Sequence, residues 1–273
     1  MHVNRMIVWW FTCVMALSLT ACGAGQKDQK ELTIFAASSL TETLTEISEL
    51  YKIENPEVTL IFNFDSSGTL KTQIQEGAAC DLFISAGQKQ MNQLDIAADS
   101  SVNTEGLDDV LEDTRTDLLE NKVTLCVSET SWTEIETFDD LANALSSGDV
   151  LMAMGNSDVP VGQYTQKILE YYDLDEESLA GDGKISYASN AKEVTTQILE
   201  GIVDCGVIYA TDAYSAGLQV SDAAAAEMCG QVIYPAAVLK ESKHPEEAKA
   251  FLEFLQTDAC MEIFEGVGFS RVN

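Results

Sequence analysis

The sequence predicts an α/β protein folded as two lobes. Short apolar runs alternate with stretches whose apolar residues recur at helical spacing, and such alternation builds mostly parallel sheets flanked by helices. The 273 residues exceed what one lobe of ordinary size requires. Twice, an apolar run ends in a turn of small polar residues that opens a helix. Ligands of parallel sheets bind beyond the carboxyl ends of the strands, so these turns mark where function should be sought.

The N-terminal segment stands apart from that pattern. Arg5 precedes an apolar run from Met6 to Leu19, too short for a comfortable membrane span and suited to a signal-peptide core. The run closes in Leu19-Thr20-Ala21-Cys22, which resembles a bacterial lipobox, where cleavage leaves the cysteine as a lipidated N-terminus. Residues 1–21 are read as a lipoprotein signal peptide, Cys22 as the lipidation site and residues 22–30 as a polar tether. The protein is expected outside the cell membrane, held by lipid.

Leu32 to Phe35 reads as a buried strand. Ala36-Ala37-Ser38-Ser39 turns the chain into a helix carrying Leu40, Leu44, Ile47 and Leu50. A serine there either caps the helix or, with the free amides and the helix dipole, helps form an anion site. Val58 to Phe64 is a second strand, and Asp65-Ser66-Ser67-Gly68-Thr69-Leu70 repeats the serine turn. Asp81 to Ala86 is a third strand, followed by a helix with Met91 and Leu94. Residues 96–120 are acidic and weakly patterned, so no element is assigned there. Lys122 to Val127 is a strand that crosses into the second lobe.

In that lobe Phe138 to Leu145 is helical and Val150 to Met154 is a strand. A turn-rich loop, Gly155 to Tyr164, leads into a helix with Ile168, Leu169 and Tyr172. Asn190 is placed to cap a helix carrying Val194, Ile198 and Leu199. Gly206-Val207-Ile208-Tyr209 is a strand ending in tyrosine, with Thr211-Asp212 starting the next helix. Val232 to Leu239 returns to the first lobe, covered by an amphipathic helix from Pro245 to Leu255. The first lobe is thus assigned residues 31–121 and 233–273, the second residues 122–232.

Composition narrows the function. A net charge of −30 argues against nucleic acid and anionic membrane surfaces. It also requires any anion site to work through local dipoles. Of seven cysteines, Cys80, Cys126, Cys205, Cys229 and Cys260 remain after the signal and lipid residues. They contain no C-x-x-C pair, and spacing leaves their pairing open. The two histidines are His2 and His244, too few for a histidine metal centre.

Phe35 to Leu40, Ser66 to Leu70, Asp81 to Ala86, Val159 to Tyr164 and Gly206 to Ala213 together resemble the molybdate-binding proteins of bacterial ABC transporters. Glu262-Ile263-Phe264 and Gly268-Phe269 resemble that family's C-terminus. The resemblance implies the two-lobed periplasmic-binding-protein fold, with the ligand in the interlobe cleft. It implies that two serine hydroxyls, two backbone amides and a tyrosine hydroxyl hold a tetrahedral oxyanion. By motif these are Ser39, Ser67, the amides of Val161 and Ala191, and Tyr209. Val161 is commonly alanine in the family and Ala191 often valine. The resemblance further implies a monomer working with ABC permease and ATPase subunits, with molybdate or tungstate as ligand and no cofactor.

That set has no carboxylate and nothing that titrates near neutrality, so binding should vary little between pH 6 and pH 8. Another oxyanion, such as sulfate or phosphate, is the alternative ligand. An enzyme using Ser39 or Ser67 as nucleophile is disfavoured: His244 is remote in sequence and no G-x-S-x-G elbow is present. Intrinsic fluorescence of the tyrosines and of Trp132, the sole tryptophan of the mature chain, offers a reporter of lobe closure.

Overall fold

The computed structural model describes residues 29–148 and 150–272. The signal segment, Cys22 and nearly all of the tether lie outside the described residues. The first strands are β1 (Lys30–Ala37), β2 (Val58–Asp65), β3 (Leu82–Ile84) and β4 (Thr116–Asn121). They are followed by β5 (Val123–Val127), β6 (Met152–Gly155), β7 (Ile185–Ala188), β8 (Cys205–Tyr209), β9 (Val220–Ala223) and β10 (Val232–Val238). They form two five-stranded sheets, ordered β2-β1-β3-β10-β4 and β7-β6-β8-β5-β9. One sheet forms the core of each lobe.

Within the first sheet β1 pairs parallel with β2 and β3, while β10 pairs antiparallel with β3 and β4. In the second, β6 pairs parallel with β7 and β8, while β5 pairs antiparallel with β8 and β9. Each sheet therefore has one reversed strand, and the other strands run in a common direction. The reversed strands, β5 and β10, are the ones that follow the two crossings between lobes. The first crossing is a single residue, Lys122, between β4 and β5.

Burial follows position in the sheet. β10 is buried throughout and β1 from Ile34 to Ala37, the continuous apolar character of a strand covered on both faces. The strands that sequence periodicity did not find are β4, β7 and β9, all at sheet edges. An edge strand needs less apolar surface. β4 carries Asp117 and Glu120, and β9 reads Val220-Ser221-Asp222-Ala223, so neither shows an apolar run.

The helices pack as their spacing predicts. Thr41–Glu54 buries Leu44, Ile47 and Tyr51. Pro245–Leu255 buries Ala248, Phe251, Leu252 and Leu255. They meet where Tyr51 packs edge-on against Phe251 and Phe254, at ring-centre distances of 4.9 and 5.0 Å. Phe138–Ser147 starts with a capping box, in which Thr137 accepts from the Asp140 amide and the Asp140 carboxylate accepts from Thr137.

Cys80, Cys126, Cys205, Cys229 and Cys260 are all free and buried. Burial raises the thiols of Cys126 to about 11 and Cys205 to about 12, so they behave as small apolar side chains. No helix among the described residues is long and apolar enough to cross a membrane.

Candidate functional site

Six chain segments converge between the lobes, each just beyond the carboxyl end of a strand. Ala37 ends β1 and Ser38 and Ser39 follow it; Asp65 ends β2 and Ser66 and Ser67 follow it; Ala86 follows β3. From the second lobe come Val159 and Pro160 beyond β6, Ala191 beyond β7, and Tyr209 at the end of β8. They enclose a cavity of about 10 Å³, against roughly 300–1,000 Å³ for sites that take organic ligands. It holds about one water-sized sphere. Its occupant must be small, and even a four-oxygen ion would hold the lobes slightly further apart.

The two serine turns are built differently. After β1 the chain makes a short 3-10 turn, Ser38–Leu40, before the long helix, and no side chain caps either. Ser39 is released from capping, and its Oγ lies 2.9 Å from the Tyr234 hydroxyl on β10. After β2 the cap is Ser66, whose Oγ accepts from the Thr69 amide at 3.1 Å. Ser67 is thereby free to face the cavity, and its Oγ accepts from the Ala86 amide at 2.9 Å. A hydroxyl that accepts from the protein still has a proton to give.

The second lobe contributes amides. The helix Pro160–Tyr171 begins with proline, which has no N–H, so Val161 carries its first free amide. The helix Ala191–Leu199 is capped by Asn190, whose Oδ1 accepts from the Glu193 amide at 3.0 Å. The Ala191 amide stays uncommitted, the usual state of a first-turn N–H. Ala191 lines the cavity itself. Val161 stands one residue behind the lining Pro160, with its side chain in the core and not crowding the opening. Tyr209 is buried, and its hydroxyl donates across the cleft to the Ala86 carbonyl at 3.2 Å. Burial pushes its pKa well up, so it stays a donor.

All five residues singled out by motif therefore stand in or against one cavity. Four features were not legible beforehand. Asp65 lines the cavity, so the expected absence of a carboxylate does not hold; its Oδ1 accepts from the Ser66 amide at 2.7 Å. Gly68 meets the opposite lobe so closely that a Cβ would sit 2.1 Å from the Asp158 carbonyl oxygen. Lys192 and Glu42 form an ion pair between the lobes. Beside it lies Asp212, buried, with Oδ2 lacking a hydrogen-bond partner among the described residues.

Burial raises the Asp212 carboxyl to about 7, opposed by Lys192 and assisted by Glu42. A group near the site thus does titrate close to neutrality. Trp132 is 98% exposed and does not line the cavity, so it is not a reporter of closure; Tyr209, between Tyr164 and Tyr234, is better placed. A larger cavity, about 840 Å³, lies away from the serine turns on the first lobe. Its walls carry Asp95, Asp108, Glu112, Asp113 and Asp117, and its two cations, Arg115 and Lys240, are engaged by Asp95 and Asp108.

The model of one protein family, bacterial extracellular solute-binding protein, matches residues 32–270. YvgL of Bacillus subtilis, whose name describes an ABC transporter substrate-binding lipoprotein, is 31% identical over 262 residues, 95% of this chain and 94% of its own. The molybdate-binding protein ModA of Escherichia coli is 31% identical over 258 residues, 93% of this chain and 95% of its own. A Clostridium difficile structure, described as the substrate-binding domain of a molybdenum ABC transporter, superposes with a TM-score of 0.61 at 33% identity. That superposition covers 89% of this chain and 99% of the other.

Asp212 generates a test of stability. Its folded-state pKa of about 7 lies above the ordinary 3.8, so the folded protein holds a proton that the unfolded chain has lost. Its contribution is complete below pH 4 and is lost as pH rises towards 7. Thermal melts of wild type and Asp212→Asn at pH 5 and pH 8 measure it. The variant should lose less stability than wild type between the two pH values; parallel losses would show that Asp212 ionises freely.

Proposed function

From the premise that the chain belongs to the bacterial extracellular solute-binding family, we propose that it captures molybdate, and tungstate with it, for an ABC importer. The family acts in solute transport and not in catalysis, and its members are extracytoplasmic and work with permease and ATPase subunits. The observation that carries the ligand assignment is the convergence of hydroxyl and amide donors from both lobes on one small cavity. Ser39, Ser67 and Tyr209 supply hydroxyls, Tyr209 by turning its proton from the Ala86 carbonyl to the ligand. Val161 and Ala191 supply amides at helix N-termini, each carrying roughly half a positive charge. Such a shell suits a small, fully deprotonated oxyanion: a protonated ligand would aim its proton at a donor, and the one carboxylate of the lining, Asp65, has its Oδ1 taken by the Ser66 amide. The likeness to ModA and to the molybdenum transporter domain supports molybdate over other tetrahedral ions.

Removing one donor should weaken binding without unfolding the chain. A hydrogen bond to a charged group contributes about 1.5–3 kcal/mol, or roughly one to two decades of affinity. Calorimetric titration with molybdate should show that loss in Ser67→Ala and in Tyr209→Phe. An unchanged dissociation constant in both would place the ligand elsewhere.

Competition titration tests the choice of ion. A donor set spaced by lobe closure discriminates by size, so molybdate and tungstate should compete equally and sulfate weakly. Binding should also weaken from pH 6 to pH 8, because ionised Asp212 adds negative charge behind Tyr209; this replaces the flat profile expected from the motif residues alone. Sulfate displacing molybdate at equal concentration would instead assign the site to sulfate.

The lipid anchor is proposed from the Leu19–Cys22 motif and from the likeness to the lipoprotein YvgL. Cys22→Ala expressed in a bacterial host should leave the membrane fraction; a variant still membrane-bound after a high-salt wash would remove the anchor.

A further inference from the structure

Behind Ser39 lies a buried chain of hydrogen bonds that the motif residues do not include. Asn121 is the last residue of β4, next to the crossing at Lys122. Its Oδ1 accepts from the Lys122 amide at 2.8 Å. That contact fixes the orientation of the side-chain amide, so Nδ2 must face the two hydroxyls beside it. These are Tyr234 at 3.1 Å and Thr211, in the second lobe, at 2.9 Å. Asn121 and Tyr234 are 3% and 0% exposed, so water does not complete their bonding.

The direction of each bond follows. The amide hydrogens of Asn121 are donors, so the Tyr234 oxygen accepts one of them. Tyr234 then has its own proton to place; the Tyr209 hydroxyl is also beside it, but the hydroxyl at good hydrogen-bond distance is Ser39 Oγ, at 2.9 Å. An unplaced buried donor is costly, so Tyr234 donates to Ser39. The oxygen of Ser39 is thereby occupied, and its proton is left for the cavity. At Ser67 the Ala86 amide does the same directly.

We propose that Asn121 and Tyr234 are positioning residues that set the hydrogen-bond polarity of Ser39, making it a donor and excluding protonated oxyanions. The inference rests on the oxyanion reading of the cavity. Without the Tyr234 hydroxyl, Ser39 can turn and accept a proton from a ligand. With aspartate at 121, Tyr234 donates to the carboxylate and Ser39 donates to Tyr234, which turns a lone pair of Ser39 towards the cavity.

The test is calorimetric titration of wild type, Tyr234→Phe and Asn121→Asp with molybdate and, separately, with inorganic phosphate at pH 8, where phosphate is mainly the singly protonated dianion. Wild type should prefer molybdate strongly. Tyr234→Phe should lose about tenfold in molybdate affinity and less for phosphate, narrowing the ratio. Asn121→Asp should narrow it at least as far. The charge introduced by Asn121→Asp acts on both dianions alike, as would general loosening of the lobes, so neither moves the ratio. If Tyr234→Phe does not fold, Asn121→Asp decides. A ratio unchanged in the folded variants overturns the relay while leaving the oxyanion site standing. Wild type giving no heat with molybdate overturns the molybdate reading itself, and the relay with it.

Discussion

An α-helix cannot satisfy the amides of its own first turn, and the cleft is organised by that constraint. Helices from both lobes start at the carboxyl ends of strands and point those starts inward. Where an apolar ligand pocket would have to cover the free amides, this fold collects them. The residues around them are small for the same reason: alanine, serine and glycine let a ligand and the opposing lobe approach the backbone. The serine turns, the proline at the head of Pro160–Tyr171 and the asparagine cap of Ala191–Leu199 are local solutions to one problem, which amides to occupy and which to leave open.

This explains how a chain carrying a net charge of −30 can present an anion site. Surface charges more than about 8 Å from a point are largely screened at physiological salt, whereas amide and hydroxyl dipoles act at contact distance in a cavity with room for about one water. The two scales separate, and the local one decides binding. Two carboxylates are exceptions: Asp65 lines the cavity, and Asp212 is buried beside it, where solvent does not screen it.

The central strands and long helices were legible because burial on two faces or one stripe leaves a periodic trace in the sequence. β4, β7 and β9 were not, because edge strands need little apolar surface. In the site, Ser39, Ser67, Val161, Ala191 and Tyr209 were found because each sits in a local motif. Asn121, Tyr234 and Asp212 were missed for the opposite reason. Tyr234 lies within an apolar strand and reads as core; its hydroxyl matters because it meets Ser39, 195 positions away. Asp65 and Gly68 lay within a recognised turn, but their roles depend on the local fold and on the facing lobe, which no local pattern records.

The single-residue crossing at Lys122 has a mechanical consequence. Asn121 beside it reaches Tyr234, which in turn reaches Ser39, so this pivot between the sheets lies only two hydrogen bonds from the cavity. Rotation about a nearby pivot moves the cavity walls little and the outer rims of the lobes far more. The molecule is thus a lever with its short arm at the ligand: a change in spacing the size of one ion's misfit is delivered, enlarged, to the outer rims of the lobes.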